Sequence, residues 1–515
     1  MMKNPKTGGR LFLIGLLLGG SLLAAADDTL EFRAWRDGKP LSGLQAQDMK
    51  LSVNGNERQV SGLAEVRHKL AGSDAAPPRL VTLLFNLSDY KLDLDPAVDF
   101  IFASVLRPND RLLVRSNNFS LADHAVSSLA SEKKRLRQIL DFEKRKYNVL
   151  YQSVRFQLTD LLNSTARLMS GQASDSGFAE PDAGNQQGVY PEAIRRNFIH
   201  VIVQTVQAYK KFFLNMDESQ LRRLAEYLRF QDVEKWGFVF FERPNFFIPE
   251  PQSLLAGYLS PSELFQKMHQ EFHGTDNLND VGIGKSFIGS GTWSTMLLTP
   301  TDRIPLAVAS EKGTLRLDRS RIASAGERVF PQISRSTGGI VMDGNQFDGF
   351  FAKVAGSEDL FYRLSFAADP ASPFRSVALT ATVPCELVYD DQRRPARPAR
   401  PVATGPLPAA PQIAGVEVKE KGVQIKMSAQ PAPASGRQAP RIFIGVQLFD
   451  GKMNMVFNKT VESDAAAMET AGLEVLLPAL AKGVYDLVIE ATDAVTRKND
   501  LALFSLTVSK KGMQL

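Results

Sequence analysis

Residues 79–90 constrain the fold of this chain more than any other stretch. Leu80-Val-Thr-Leu-Leu-Phe85 is a nearly unbroken apolar run, entered at Arg79 and left through Asn86-Leu-Ser-Asp-Tyr90. A run of that kind reads as a strand buried on both faces, because a half-exposed strand would alternate apolar and polar residues. Asp95-Pro96 then opens a helix, with a carboxylate and a proline in its first turn. Val98, Ile101, Phe102, Val105 and Leu106 fall on one helical face. The rhythm continues: a strand at Arg111–Arg115, a charged helix near Glu132–Lys144, another from Val149 to Met169, and a polar, Gly-rich loop over Gly171–Tyr190. A third strand is expected at Asn197–Val203, a helix at Asp217–Arg229, and a fourth strand at Trp236–Phe241. Alternating strand and helix predicts an α/β fold, a mostly parallel sheet with helices on both faces.

The flanking regions read differently. Residues 27–78 form an N-terminal β segment, with Leu30, Phe32 and Ala34 alternating with charged residues and turns at Asp37-Gly38 and Asn54-Gly55. The rhythm is lost over 244–330, read as an insertion within an α/β domain spanning 79–391. It returns with Thr337-Gly338-Gly339, Ile340–Met342 and a helix-like Asn345–Val354, and Tyr362–Phe366 and Ser376–Val383 read as two further strands. Residues 392–411 are a Pro- and Arg-rich linker. Residues 412–515 carry several short alternating strands and are expected to form a C-terminal all-β, immunoglobulin-like sandwich.

Residues 1–26 have the three parts of a secretory signal peptide. Lys3, Lys6 and Arg10 form a basic head, Leu11–Leu23 an apolar core, and Ala24-Ala-Ala26 a small-residue cleavage site. The apolar core is shorter than the roughly 20 residues needed to span a bilayer. The expectation is an exported protein, periplasmic or extracellular, with no membrane span after signal removal. The formal charge of +5 includes that head, so the mature chain is close to neutral. No basic stripe interleaved with aromatics is present, so nucleic acid is not an expected partner. Cys385 is the only cysteine. An intrachain disulfide is therefore impossible, and an exported chain of this size must rely on its cores.

In order, these pieces resemble the exported bacterial von Willebrand factor A-related proteins. Gly38–Leu44 with Asp48–Leu51 resembles the β segment that introduces the A domain. Arg79–Tyr90 resembles the first strand and metal loop, and Asn109–Val114 the second strand. Tyr147–Tyr151 looks like a Gly-Gly-Thr-x-Leu-Tyr turn, and Ser336–Gly339 with Tyr362–Phe366 resembles the closing part. The resemblance implies a vWA-like Rossmann-type sheet. It also implies a divalent-metal site built from Asp-x-Ser-x-Ser in the first loop, a Thr in the second and an Asp in the third. Carried over by position, the first loop supplies Asn86, Ser88 and Tyr90, the second Asn148 and the third Gln204; Asp89 lies alongside. Only Ser88 matches. Amides in place of acids remove the charge that offsets cation dehydration, so the implied site is degenerate and no metal or cofactor is expected. On this reading Asn86, Ser88, Asp89, Tyr90, Asn148 and Gln204 rim a metal-free face that contacts a protein partner.

Other chemistry is thinner. His269 and His273 have the four-residue spacing of zinc ligands on a helix, without the His-Glu-x-x-His order. Gly284-Lys285-Ser286 ends like a phosphate loop but lacks the earlier glycine. Phe240, Phe241, Phe246, Phe247, Phe265, Phe272 and Phe287 concentrate aromatic surface near 244–330. The reading is a non-enzymatic, exported interaction or scaffold protein. A magnesium- or manganese-dependent adhesion protein and a zinc hydrolase centred on 244–330 are the alternatives.

Overall fold

The computed structural model describes residues 27–70, 77–87, 90, 94–116, 119–169, 200, 204, 218–231, 233–242, 245–249, 286–287, 292–299, 306–310, 313–321, 326–343, 351, 353–356, 358–367, 376–389, 411–428, 441–464, 471–493 and 499–515. The signal-like segment, the polar loop 171–190 and the linker 392–410 lie outside them.

Leu80–Asn86 is a strand with every residue buried. It sits inside a six-stranded sheet ordered Val341–Asp343, Thr292–Thr299, Lys235–Glu242, Leu80–Asn86, Arg111–Arg115, Ser120–Ala125. Neighbours run parallel except the last pair, which is antiparallel. Alternation sends Val81, Leu83 and Phe85 into one core with Val98, Ile101, Leu136 and Ile139. Leu80 and Leu84 enter another with Leu221, Leu224, Leu228, Phe330 and Ile333. The helix opened by Asp95-Pro96 continues into a π-helical turn, Ile101–Val105.

As a fold class for the chain, the vWA-like Rossmann-type α/β expectation is overturned. Among the described residues strand outweighs helix, 52% against 25%. Parallel pairing is confined to the one sheet, and the other five sheets are antiparallel throughout. The reason is extent. Strand–helix alternation belongs to 79–243, whereas Glu358–Ala367 and Val377–Ala381 have period-two patterning and pair antiparallel with sequence-distant strands.

Four local expectations are corrected with it. His200 is helical, as is Gln204, where a strand over Asn197–Val203 is expected; the other residues of that stretch lie outside the described ones. The charged helix and its successor are one 41-residue helix, Leu129–Met169. No Gly or Pro interrupts it, and the turn expected at Tyr147–Tyr151 lies inside it. Thr292–Thr299, assigned to the insertion, pairs in register with Lys235–Glu242 in the six-stranded sheet. Asn245–Pro249, Gly313–Arg321 and Leu306–Ser310 make a separate three-stranded sheet.

The strands near the end of the expected α/β domain belong elsewhere. Glu358–Ala367, which contains Tyr362–Phe366, pairs with Asp27–Arg36 on one side and Val60–Lys69 on the other. Val377–Ala381 pairs with Met49–Val53. Phe32, Leu51, Tyr362, Leu364, Phe366 and Leu379 fill the core between these sheets. At the margin of that unit Arg33 donates Nε to Asp359 Oδ1 at 3.1 Å and Nη2 to Oδ2 at 2.9 Å, both groups buried. Gly338 closes the Gly326–Thr337 helix at φ +81°, and Gly339 N donates back to Ser334 O at 2.7 Å. A Cβ on Gly338 would lie 3.0 Å from Arg33 Nε, so glycine is needed there for both backbone angle and space.

The described residues of 411–515 form two antiparallel sheets, of three and five strands. Val423, Ile425, Ile444, Val446, Leu487 and Ile489 face each other in their common core. Phe449, Val488 and Leu501 leave that module to join the core beneath the Leu129–Met169 helix. The Phe449 and Phe142 rings meet edge-on at 5.2 Å. The C-terminal module is therefore docked by apolar contact, and a polar clasp beside it is described below.

Candidate functional site

The carboxyl ends of the parallel strands converge on Tyr90. Asn86 ends the central strand and Glu242 ends its neighbour. Ser116 follows the strand on the other side, and Glu143 and Tyr147 project from the long helix. Tyr90 has φ +51°, a left-handed conformation that a bulky residue adopts only at a cost of about 1–2 kcal/mol. Its backbone N–H donates to Glu242 Oε2 at 2.6 Å, and its hydroxyl donates to Glu143 Oε2 at 2.9 Å. Ser116 Oγ donates to the other oxygen of Glu143 at 2.6 Å. The Tyr90 ring lies 5.6 Å from that of Tyr147. Tyr90, Glu143 and Glu242 are 6%, 1% and 2% exposed. Burial, followed by the Glu143 and then the Glu242 carboxylates, pushes the Tyr90 phenol far above its ordinary range. It is a permanent donor, and the strained backbone is held by two charge-assisted hydrogen bonds.

Of the six residues expected to rim one face, the four that are described have different surroundings. Asn86 and Tyr90 are buried. Ser88 and Asp89 lie outside the described residues. Gln204 is exposed on a helix, its amide 2.9 Å from the ring of His200. Asn148 lines a different feature, a cleft of about 470 Å³ between the long helix and the C-terminal module, with Gln138, Asp141, Arg145, Asp486 and Leu503. Arg145 bridges that cleft to Asp486 at 2.9 Å.

The crevice is also not the amide-lined one expected, since Glu143 and Glu242 bring two buried carboxylates to it. Glu242 carried a readable signal: it follows the apolar run Trp236–Phe241 as Asn86 follows Leu80–Phe85. The apolar run Asn197–Val203 points instead to Gln204 as the residue ending a neighbouring strand. Glu143 carried none, since it sits among Lys and Arg in a helix that reads as solvent-facing. Among the described residues, no group of three or more His, Cys, Asp and Glu is arranged to hold a metal ion.

His269, His273, Gly284 and Lys285 lie outside the described residues. Ser286 accepts from Arg222 Nη1 at 3.2 Å. Phe240, Phe241 and Phe287 are core residues. His68 meets the Phe361 ring edge-on at 5.2 Å. Burial raises the pKa of the Cys385 thiol, which lowers its thiolate fraction and its reactivity.

A polar clasp fastens the C-terminal module to the edge of the six-stranded sheet. His124 Nδ1 lies 2.8 Å from Ala122 O and Nε2 lies 3.2 Å from Glu132 Oε2. Arg135, 3.7 Å from the same carboxylate, donates Nε to Leu501 O at 2.9 Å and pairs with Asp500. Asn499 Oδ1 accepts from Ala122 N at 2.9 Å. Burial works against the His124 cation, but the Glu132 carboxylate and the Ala122 carbonyl outweigh it, and the pKa stands above the ordinary 6.5. A raised pKa in the folded state means the contribution is complete below about pH 6.5 and is lost as pH rises through the raised value. Burial opposes ionisation of Glu132, but His124 and then Arg135 outweigh it and lower its pKa, so it contributes above its ordinary 4.5 and loses that contribution on acidification. Hydrogen exchange at 120–125 and 499–503, corrected for intrinsic rates, is therefore expected to show more frequent opening at pH 8.5 than at pH 6. His124→Gln should flatten that difference; an unchanged pH profile in the variant would show that the clasp does not depend on this imidazolium.

No family model matches the chain, and no curated protein matches it. Among solved structures it is similar to the human COPII-coat protein Sec24c, at 9% identity over 88% of this chain and 48% of that one, with a TM-score of 0.21. The chain spans about half the length of that protein, and a score at this level carries no argument about fold or function. Among the described residues no helix is long and apolar enough to cross a membrane.

Proposed function

We propose that this chain is an exported, non-enzymatic interaction or scaffold protein whose crevice at the carboxyl ends of the parallel strands works without a metal. One observation carries the reading. Tyr90 fills the crevice with a buried ring and satisfies Glu143 with its hydroxyl and Glu242 with its backbone N–H. The two carboxylates already have hydrogen-bond donors from the chain itself, so a cation would have to displace a packed aromatic side chain to reach them. The signal-like residues 1–26 support export, and the loop sequence Arg79–Tyr90 supports the likeness to von Willebrand factor A-related proteins. The partner is a protein, met on exposed surface rather than on the buried rim; the cleft beside Asn148 is the nearest candidate.

The presence of Glu143 and Glu242 favours a second reading, metal-dependent adhesion, and one titration separates the two. A ligand that binds only the folded state raises its stability by RT ln(1 + [L]/Kd), about 2.7 kcal/mol at a hundred times Kd. Millimolar magnesium or manganese is expected to leave the melting temperature of the purified protein unchanged. A rise that grows with the logarithm of metal concentration refutes the metal-free reading. Capture of a partner from an envelope fraction, undiminished by EDTA, is expected alongside.

A further inference from the structure

The sheet face of the C-terminal module that docks on the long helix is only partly covered. Side chains alternate along Gly483–Asp493, so Val484, Asp486 and Val488 share one face, opposite Thr507, Ser505 and Leu503 of the neighbouring strand. Val488 is buried in the core beneath the helix, and Leu503 packs against that core. Val484, farther along the same face, is 56% exposed. Between them, at Asp486 and Ser505, the face opens into the cleft beside Asn148, whose lining includes Leu503.

The helix supplies the opposite wall. Gln138, Asp141, Lys144 and Asn148 line the cleft at spacings of three and four residues, so they form one stripe about 15 Å long. Arg145 and Asp486 already neutralise each other at 2.9 Å. Among the described residues, neither Asp141 nor Lys144 has a hydrogen bond or ion pair within the chain, and both are exposed. The helix thus holds one free acid and one free base about one turn apart. The amides at the two ends of the stripe each offer donors and an acceptor.

That pattern specifies an occupant. An extended peptide covers about 15 Å with four or five residues and presents alternate side chains on one side about 7 Å apart. Asp141 and Lys144 are separated by about 4.5 Å of helix rise, and the flexible Lys144 stem makes up the difference. A basic and an acidic side chain two positions apart therefore reach both charges. Backbone amides of the same segment reach Gln138 and Asn148, and an apolar residue covers Leu503. A polyanion, whether nucleic acid or anionic membrane, would bring like charge to Asp141 and Asp486.

We propose that this cleft binds an extended peptide segment of a partner protein, with a basic side chain on Asp141 and an acidic one on Lys144. The proposal rests on the reading of the chain as a metal-free, protein-binding scaffold and names the chemistry of the bound segment.

Fluorescence anisotropy of a dye-labelled, end-capped peptide, Val-Lys-Ser-Glu-Val, with the full chain in EDTA tests it. Saturable binding is expected, and about tenfold weaker binding of Val-Gln-Ser-Gln-Val, which lacks both charges. Asp141→Lys is expected to weaken the charged peptide by about tenfold, since attraction becomes repulsion. Asp141→Lys combined with Lys144→Glu is expected to restore it, because the swapped pattern accepts the same peptide in the reverse chain direction. That restoration separates a lost charge from a damaged fold. No saturable binding at millimolar peptide, equal affinity for the uncharged peptide, undiminished binding by Asp141→Lys, or a double variant as weak as the single one overturns the proposal. Each of these leaves the scaffold reading standing, with the partner on another surface. Binding that requires magnesium in place of EDTA overturns both.

Discussion

Asp110→Ala is expected to lose about 3–5 kcal/mol of stability, the largest single effect foreseen for this chain, because it leaves a fully buried guanidinium without its counter-charge. Arg79 is 0% exposed and Asp110 1%. Asp110 Oδ1 accepts the Arg79 backbone N–H at 3.0 Å, and Oδ2 accepts Arg79 Nη2 at 2.8 Å and the Arg107 N–H at 3.0 Å. Arg79 also donates Nη1 to Leu70 O at 2.9 Å and Nη2 to Val105 O at 2.5 Å. One ion pair thus ties together the start of the central strand, the end of the N-terminal segment, the end of the π-helical turn and the turn into the next strand. Arg79→Met combined with Asp110→Leu should recover only part of the loss: the apolar pair removes the desolvation cost of the lone ion, but it leaves the Arg79 and Arg107 N–H groups and the Leu70 and Val105 carbonyls without these partners. Urea unfolding followed by far-UV circular dichroism reads both variants. A single variant as stable as the wild type would show that the pair is not the pin described.

Tyr90→Ala is the second large effect, about 3–5 kcal/mol, as for other buried aromatic truncations. Tyr90→Phe separates the causes. It keeps the ring against Tyr147 and removes only the donor to Glu143, so about 1–3 kcal/mol is expected from that carboxylate's lost hydrogen bond. The phenol does not titrate in the accessible range, so the Phe deficit should be constant from pH 6 to 9. If Phe and Ala variants unfold at the same urea concentration, the ring contributes nothing and the plugged-crevice reading loses its support.

Local patterning was legible where one strand or helix buries itself by its own composition. Leu80–Phe85 announced a doubly covered strand, and the alternation at Leu30, Phe32 and Ala34 announced β structure. Pairing was not legible. Tyr362–Phe366 looks like any half-buried strand, and nothing in those residues says that they join Asp27–Arg36 across more than three hundred positions. Thr292–Thr299 was hidden because its surroundings are irregular, although it supplies a strand to the six-stranded sheet. A repeating strand–helix pattern speaks only for the residues that carry it, and most strands here lie outside those residues.

The site divides the same way. The sequence by itself determined that an amide, Asn86, ends the central strand and that a tyrosine follows four residues on. Only the tertiary structure decided that Tyr90 turns inward through a left-handed backbone, and that Glu143 and Glu242 meet it. The physical reason is that a strand or helix carries its apolar periodicity in its own residues. Which carboxylate receives a given donor depends instead on strand order and on which face of a distant helix is pressed against the sheet, and neither quantity is written locally.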